Sequence, residues 1–180
     1  HKNMSEEIKQ YILKNGLVLG GIYVALDIIK YVCGAEFFVN NYVNFVSLLL
    51  AAIFPVFYLL KYKKSQDGFI DFRSAFSICT GILIASGFIL LVFNILLFNI
   101  IDPAFSSELL DVTINTAVFQ LEAFGMSDEQ ISSAIEMMEA EANFSPMNML
   151  KGFGFTIVGY TLYGLLVAAI TKKNNEFINQ

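Results

Sequence analysis

Four stretches of this chain are too long and too apolar for a protein of its size to bury in a core of its own. They run over residues 17–33, 42–60, 75–101 and 147–170. Crossing the roughly 30 Å hydrocarbon layer of a bilayer takes about 20 mostly apolar residues of helix. The first stretch qualifies only with allowance for two charges, Asp27 and Lys30. All four are expected to be helical, because each unsatisfied backbone N–H or C=O in lipid costs several kcal/mol and a helix satisfies them within the segment. Composition agrees. Hydrophobic residues make up 56% of the 180 and charged residues 15%, where globular domains have about 45–50% and about 25%. That excess needs an apolar solvent. His1-Lys2-Asn3 reads as a scar ahead of an initiating Met4, and the first apolar run lacks a small-x-small cleavage site, so it is expected to stay as an anchor.

Where the cations sit gives an orientation. All 11 basic residues lie at or before Arg73 or at or after Lys151. Lys9 and Lys14 precede the first span, Lys61, Lys63, Lys64 and Arg73 separate the second from the third, and Lys172 and Lys173 follow the fourth. With alternating spans these groups share one side, so the positive-inside rule predicts cytoplasmic N and C termini in a bacterial inner membrane. The far side receives a short loop, 34–41, and a segment in which Asp102, Glu108, Asp111, Glu122, Asp128, Glu129, Glu136, Glu139 and Glu141 occur without one base. Such segregation excludes a nucleic-acid surface.

The acidic segment, residues 106–142, has helical periodicity. Leu110, Ile114, Ala117, Val118, Leu121 and Phe124 fall on one face, and Gly125 is a natural terminator. Ser127-Asp-Glu-Gln130 then has the pattern of a capping box, opening a second helix with Ile131, Ala134, Ile135 and Met138 on one stripe. Asn143-Phe-Ser-Pro146 breaks the chain before the fourth span. The expected architecture is therefore all-α: a four-helix transmembrane bundle with an extracytoplasmic amphipathic helical hairpin between spans three and four. The hairpin's stripes can pack on each other, lie on the membrane or meet a partner. Mutual packing is preferred, leaving Ile131, Ile135, Met137 and Met138 as the candidate partner surface.

Within the spans, four polar residues stand out. Asp27 and Lys30 share a helix face and can pair. An ionisable group at the bilayer centre costs about 2.5–3.5 kcal/mol on insertion scales. Both lie toward the outer end, so pairing at the interface, with Lys30 snorkelling to water, is preferred over a proton or ion relay. Asn94 and Asn99 in the third span suit hydrogen bonds between helices. Small residues mark the expected close helix contacts: Gly16 and Gly20 in the first span, Gly81 and Ala85 in the third, Gly154, Gly159 and Gly164 in the fourth. Pro55 is expected to kink the second span. Cys33 and Cys79 fall near opposite membrane faces, too far apart to bridge.

Taken together, Ile101-Asp-Pro-Ala-Phe105, Gly125-Met-Ser-Asp-Glu-Gln-Ile131, Met137-Met138, Phe144-Ser-Pro146 and the Gly68-Phe…Phe72-Arg-Ser-Ala-Phe76 entry to span three resemble the domain of unknown function 4199 family, four-span bacterial membrane proteins common in Bacteroidota. The resemblance runs from Glu7 to Lys173 and implies an inner-membrane location and four helices. It supplies neither an activity nor catalytic residues. The chain's own residues assemble no Ser-His-Asp, Cys-His or paired-carboxylate site, and Gly152-Phe-Gly154 lacks the Lys-Ser/Thr of a phosphate loop. No cofactor or metal is expected. The preferred reading is a non-enzymatic accessory or scaffold subunit whose acidic hairpin contacts an envelope or inner-membrane protein, with homo-oligomers left open. A small oligomeric channel or transporter is the alternative.

Overall fold

The four apolar stretches are helices in the computed structural model, which describes residues 2–141 and 144–173. In chain order the elements are α1 (Lys2–Cys33), α2 (Ala35–Phe38), α3 (Asn41–Ser65), α4 (Phe72–Leu96) continued by a π-helical turn (Leu97–Ile101), α5 (Pro103–Ala123), α6 (Asp128–Glu141) and α7 (Pro146–Thr171). The fold is all-α, with no strand among the described residues. Glu6–Cys33, Asn41–Ser65, Phe72–Ile101 and Pro146–Thr171 are each long and apolar enough to cross a membrane. His1, Ala142 (the expected last residue of the hairpin) and Asn143 (the start of the expected break) lie outside the described residues.

The helix starts are written in short polar side chains. Asn40 accepts from the backbone N–H groups of Tyr42 and Val43, Asp71 from Ser74, Asp102 from Phe105 and Ser145 from Asn148. Each cap satisfies donors that the first helical turn leaves open. Pro103 and Pro146 follow their caps directly, where a missing N–H costs nothing. Between α5 and α6, Gly125 at φ 74° supports a Schellman turn: its N–H reaches Glu122 O and that of Met126 reaches Leu121 O. The capping box is closed from both sides, Gln130 N–H donating to Ser127 Oγ and Ser127 N–H to Gln130 Oε1. One connection differs from expectation. The 34–41 loop contains the single-turn helix α2, reached through Gly34 at φ 97°.

Helix α4 is the spine, packed between α1 and α7. Along the α1–α4 seam, Gly81 meets Ile12, Gly16 meets Ala85 and Gly20 meets Ile89. Each contact lies four residues beyond the last on both helices, so these two spans run parallel with one small residue at every crossing. On the other side Gly164 of α7 abuts Thr80, and Gly87 of α4 abuts Phe153 and Tyr160. The core between them includes Leu19, Tyr23, Ile78, Cys79, Ile82, Leu83, Val167 and Ala168. Gly154 and Gly159 correct the expectation for α7. A Cβ on either would meet nothing within 4 Å, and both are exposed. The bundle-facing stripe of α7 is Phe153, Ile157, Tyr160, Gly164, Val167 and Ala168, stepping by three and four, and positions 154 and 159 fall off it.

Helix α3 is held differently. Tyrosine hydroxyls from α1 and α7 donate to its backbone: Tyr23 to Ser47 O, Tyr163 to Ala52 O and Tyr11 to Tyr58 O. Pro55 lies inside this helix and removes the donor that Ala51 O would receive. Tyr163 therefore delivers its proton beside the gap. At the lysine-rich end, Lys63 Nζ donates to Thr171 O, and Ile70 and Lys173 exchange backbone hydrogen bonds. Those contacts close the ends of α3, α4 and α7 together.

The glycine contacts make a paired expectation. A Cβ at Gly164 would lie 1.9 Å from Thr80 Oγ1, so Gly164→Ala should cost about 1–3 kcal/mol as an overpacking strain. Gly159→Ala should change stability by less, and upward if at all, since Ala favours helix over Gly by about 0.5–1 kcal/mol. Thermal unfolding in detergent reads both.

Candidate functional site

Two charged residues of α1, Asp27 and Lys30, are buried at the end of the bundle that carries α5 and α6. Asp27 and Lys30 are 5% and 6% exposed, and Lys30 Nζ lies 2.5 Å from Asp27 Oδ1. The second carboxylate oxygen, Oδ2, accepts from Asn94 Nδ2 of α4 at 3.1 Å. The ammonium also donates to Asn44 Oδ1 of α3 at 3.2 Å and stands 4.6 Å from the centroid of the Phe38 ring on α2. Asn44 in turn donates through Nδ2 to Phe38 O. One ion pair thus binds α1, α2, α3 and α4 into a polar clamp.

This arrangement corrects the expectation for Lys30. The side chain does not snorkel outward, because a carboxylate, an amide oxygen and an aromatic face already surround its ammonium. Such a shell is what a desolvated charge requires: a close counter-ion and hydrogen bonds to the valences that remain. Asn94 and Asn99 have separate roles. Asn99 Nδ2 donates to Ile95 O in its own helix and to Phe144 O ahead of α7, tying the π-helical turn to the last connection.

Next to the clamp lies an aromatic layer that periodicity alone did not single out. Ala35, Leu97, Phe98, Phe105 and Leu109 are buried together, with Tyr31, Phe38 and Phe144 against them. Phe105 meets Tyr31 edge-on at 4.8 Å between ring centroids, and Phe98 lies 4.9 Å from Phe144. Tyr31 Oη donates to Asp102 Oδ2 at 2.9 Å, while Asp102 Oδ1 caps α5. Hence α5 is fixed to the bundle by buried aromatic surface and by a shared carboxylate. The available signal was Asp102-Pro103, a cap followed by a first-turn proline, with Phe105 two residues on.

The hairpin surface is divided. Glu108, Asp111, Glu122, Asp128, Glu129, Glu136 and Glu139 are exposed. Of the residues expected to form a partner surface, Met137 is 61% exposed, but Ile131 is only 7% exposed, and Ile135 and Met138 are half-buried. Helix α6 packs against α5, and Ile131 is spent inside the fold rather than offered to a partner. Phe124, placed by periodicity on the inward stripe, is instead 85% exposed. It is the C-cap residue of α5, beyond the last full turn, where the helical phase no longer dictates its direction.

The clamp can be tested by unbalancing it. Asp27→Asn leaves a buried ammonium without its counter-ion and should cost about 3–5 kcal/mol, whereas Asp27→Asn combined with Lys30→Met should recover most of that loss. Unfolding in mixed micelles measures both, and a single variant as stable as the parent would show that the pair clamps nothing.

No curated protein and no solved structure matches this chain. The family model described as a protein of unknown function, DUF4199, matches residues 14–173. That range takes in the polar clamp, the aromatic layer and the whole helical hairpin, and the chain belongs to the DUF4199 family.

Proposed function

We propose that this protein is a non-enzymatic scaffold or accessory subunit of the bacterial cytoplasmic membrane, with both termini in the cytoplasm and the acidic hairpin on the far side, where it contacts another envelope protein. The observation that carries this reading is the hairpin's attachment. Phe105 and Leu109 are buried in the aromatic layer and Asp102 is held by Tyr31, so the root of the hairpin is fixed to the bundle. At the same time it turns seven carboxylates, Phe124 and Met137 outward. An acidic surface anchored at its root, with exposed aromatic and thioether side chains, suits docking, where preorganisation lowers the entropic cost of association. The distribution of lysines supports the orientation, since Lys61, Lys63, Lys64, Lys172 and Lys173 share the end opposite the hairpin.

A channel or transporter would have to use the buried Asp27–Lys30 pair, and those two charges already neutralise each other in contact. The other half of the bundle packs through apolar side chains such as Leu59, Ile78, Ile82 and Leu83, with Asn15, Thr80 and Ser86 buried singly among them.

Two measurements test the proposal. In a background with Cys33 and Cys79 replaced by Ser, a cysteine at Gln130 should react with an impermeant maleimide in intact cells, and one at Lys172 should react only after lysis. The reverse pattern overturns the orientation. Purification in mild detergent should bring down a stoichiometric envelope protein, and Glu136→Gln with Glu139→Gln should release it at lower salt than the parent requires. If the double variant retains the partner as firmly as the parent, the docking surface lies elsewhere.

A further inference from the structure

A cleft of about 520 Å³ opens where α3 begins, between the α2–α3 corner and the middle of α5. Glu36, Asn40, Asn41 and Tyr42 line one wall, and Asn115 and Phe119 stand on the other. We propose that this cleft binds the headgroup of a zwitterionic phospholipid, its ammonium at Glu36 between the Tyr42 and Phe119 rings. This rests on the bundle being embedded in a membrane and is independent of the scaffold reading.

Three observations point the same way. First, the charge is one-sided. The lining residues, within 36–42 and 112–119, include no Lys, Arg or His, and Lys30, the cation behind that corner, is already paired with Asp27. Glu36 faces the cleft, and Asp111 lies one helical turn from Asn115 on the same face of α5. The occupant's recognised group is therefore a cation. Second, the cation is organic. A lone carboxylate is a poor site for a hard metal ion, which takes six or more oxygens, whereas a cleft whose lining combines Glu36 with the exposed rings of Tyr42 and Phe119 offers an ammonium group both a counter-ion and aromatic faces. Third, the level is that of headgroups. Asn41 and Tyr42 open a helix apolar enough to cross a membrane, which sets the cleft at the water boundary, where interfacial tyrosines belong. An ammonium presented there in bulk is carried on a lipid, together with a phosphate that the amides of Asn41 and Asn115 can meet as donors.

The test uses the full chain, purified and offered equal amounts of phosphatidylethanolamine and phosphatidylglycerol in mixed micelles, with native mass spectrometry counting the retained lipid. The parent should retain phosphatidylethanolamine about five- to tenfold over phosphatidylglycerol, the preference that one cation–π contact with a counter-ion sustains. Glu36→Gln and Phe119→Ala should each bring the ratio close to one, and Glu6→Gln, an exposed position on the first turns of α1, should leave it unchanged. Circular dichroism melts verify that all variants fold. Equal retention of both lipids by the parent, or a preference that survives Glu36→Gln, overturns the proposal. Glycerophosphoethanolamine, which lacks acyl chains, separates the two sources of the same chemistry. Binding as tight as that of the intact lipid would assign the cleft to a soluble amine instead, and weaker binding by at least about tenfold supports the membrane source.

Discussion

Everything at the hairpin end depends on how closely α1 approaches α4. Ile12 on Gly81, Gly16 on Ala85 and Gly20 on Ile89 bring two backbones together over three successive steps. In lipid there is no hydrophobic drive for two helices to associate, so intimate van der Waals contact has to supply the attraction. The seam also sets register. Because both helices advance by the same four residues per contact, Asp27 arrives opposite Asn94, and further on Tyr31 meets Asp102. A shift of one residue along the seam would leave an amide and a carboxylate facing apolar side chains.

From that register the rest follows by proximity. The clamp draws in α3 through Asn44 and α2 through Phe38, and α2 forms part of the surface on which α5 rests. The π-helical turn at Leu97–Ile101 admits one extra residue before Asp102, whose N–H bonds to Leu97 O. Asp102 then serves two masters, capping α5 and accepting from Tyr31. The acidic hairpin is thereby tied through side chains to the core of the bundle. Helix α3 joins by a different means, with tyrosine hydroxyls reaching its carbonyls and Leu59 buried in the apolar core rather than by interlocking small residues.

The fold is legible in the residues wherever water or backbone geometry sets the rule. The turn at Gly125, the Ser127–Gln130 box and the helical character of the acidic segment follow from local chemistry, and each is present. It is not legible where lipid erases the contrast. A helix face turned to acyl chains is as apolar as one turned to a neighbour, so Gly154 and Gly159 could not be told from Gly164 by composition. The pairing of Lys30 with Asp27 is legible, but its inward direction is not, for a related reason. Its counter-ion is local and legible at spacing three, but the Asn44 oxygen and the Phe38 ring that complete its shell come from other elements. The cleft beside α5 depends on the same long-range meeting of the α2–α3 corner with a helix far along the chain.

The spacing of Asp27 and Lys30 bears on how such a protein is made. Ribosomes release the first span long before residue 94 exists, so α1 has to enter the bilayer without its eventual amide partner. Two opposite charges one turn apart cancel within the segment itself, and a nascent helix carrying them presents a dipole rather than two bare ions to the insertion machinery. Asn94 of α4 adds a second, later-made partner to a carboxylate that already has one in its own helix. The ion pair therefore needs nothing outside α1 to form, and what the third span contributes is the bond that ties it to the rest of the bundle.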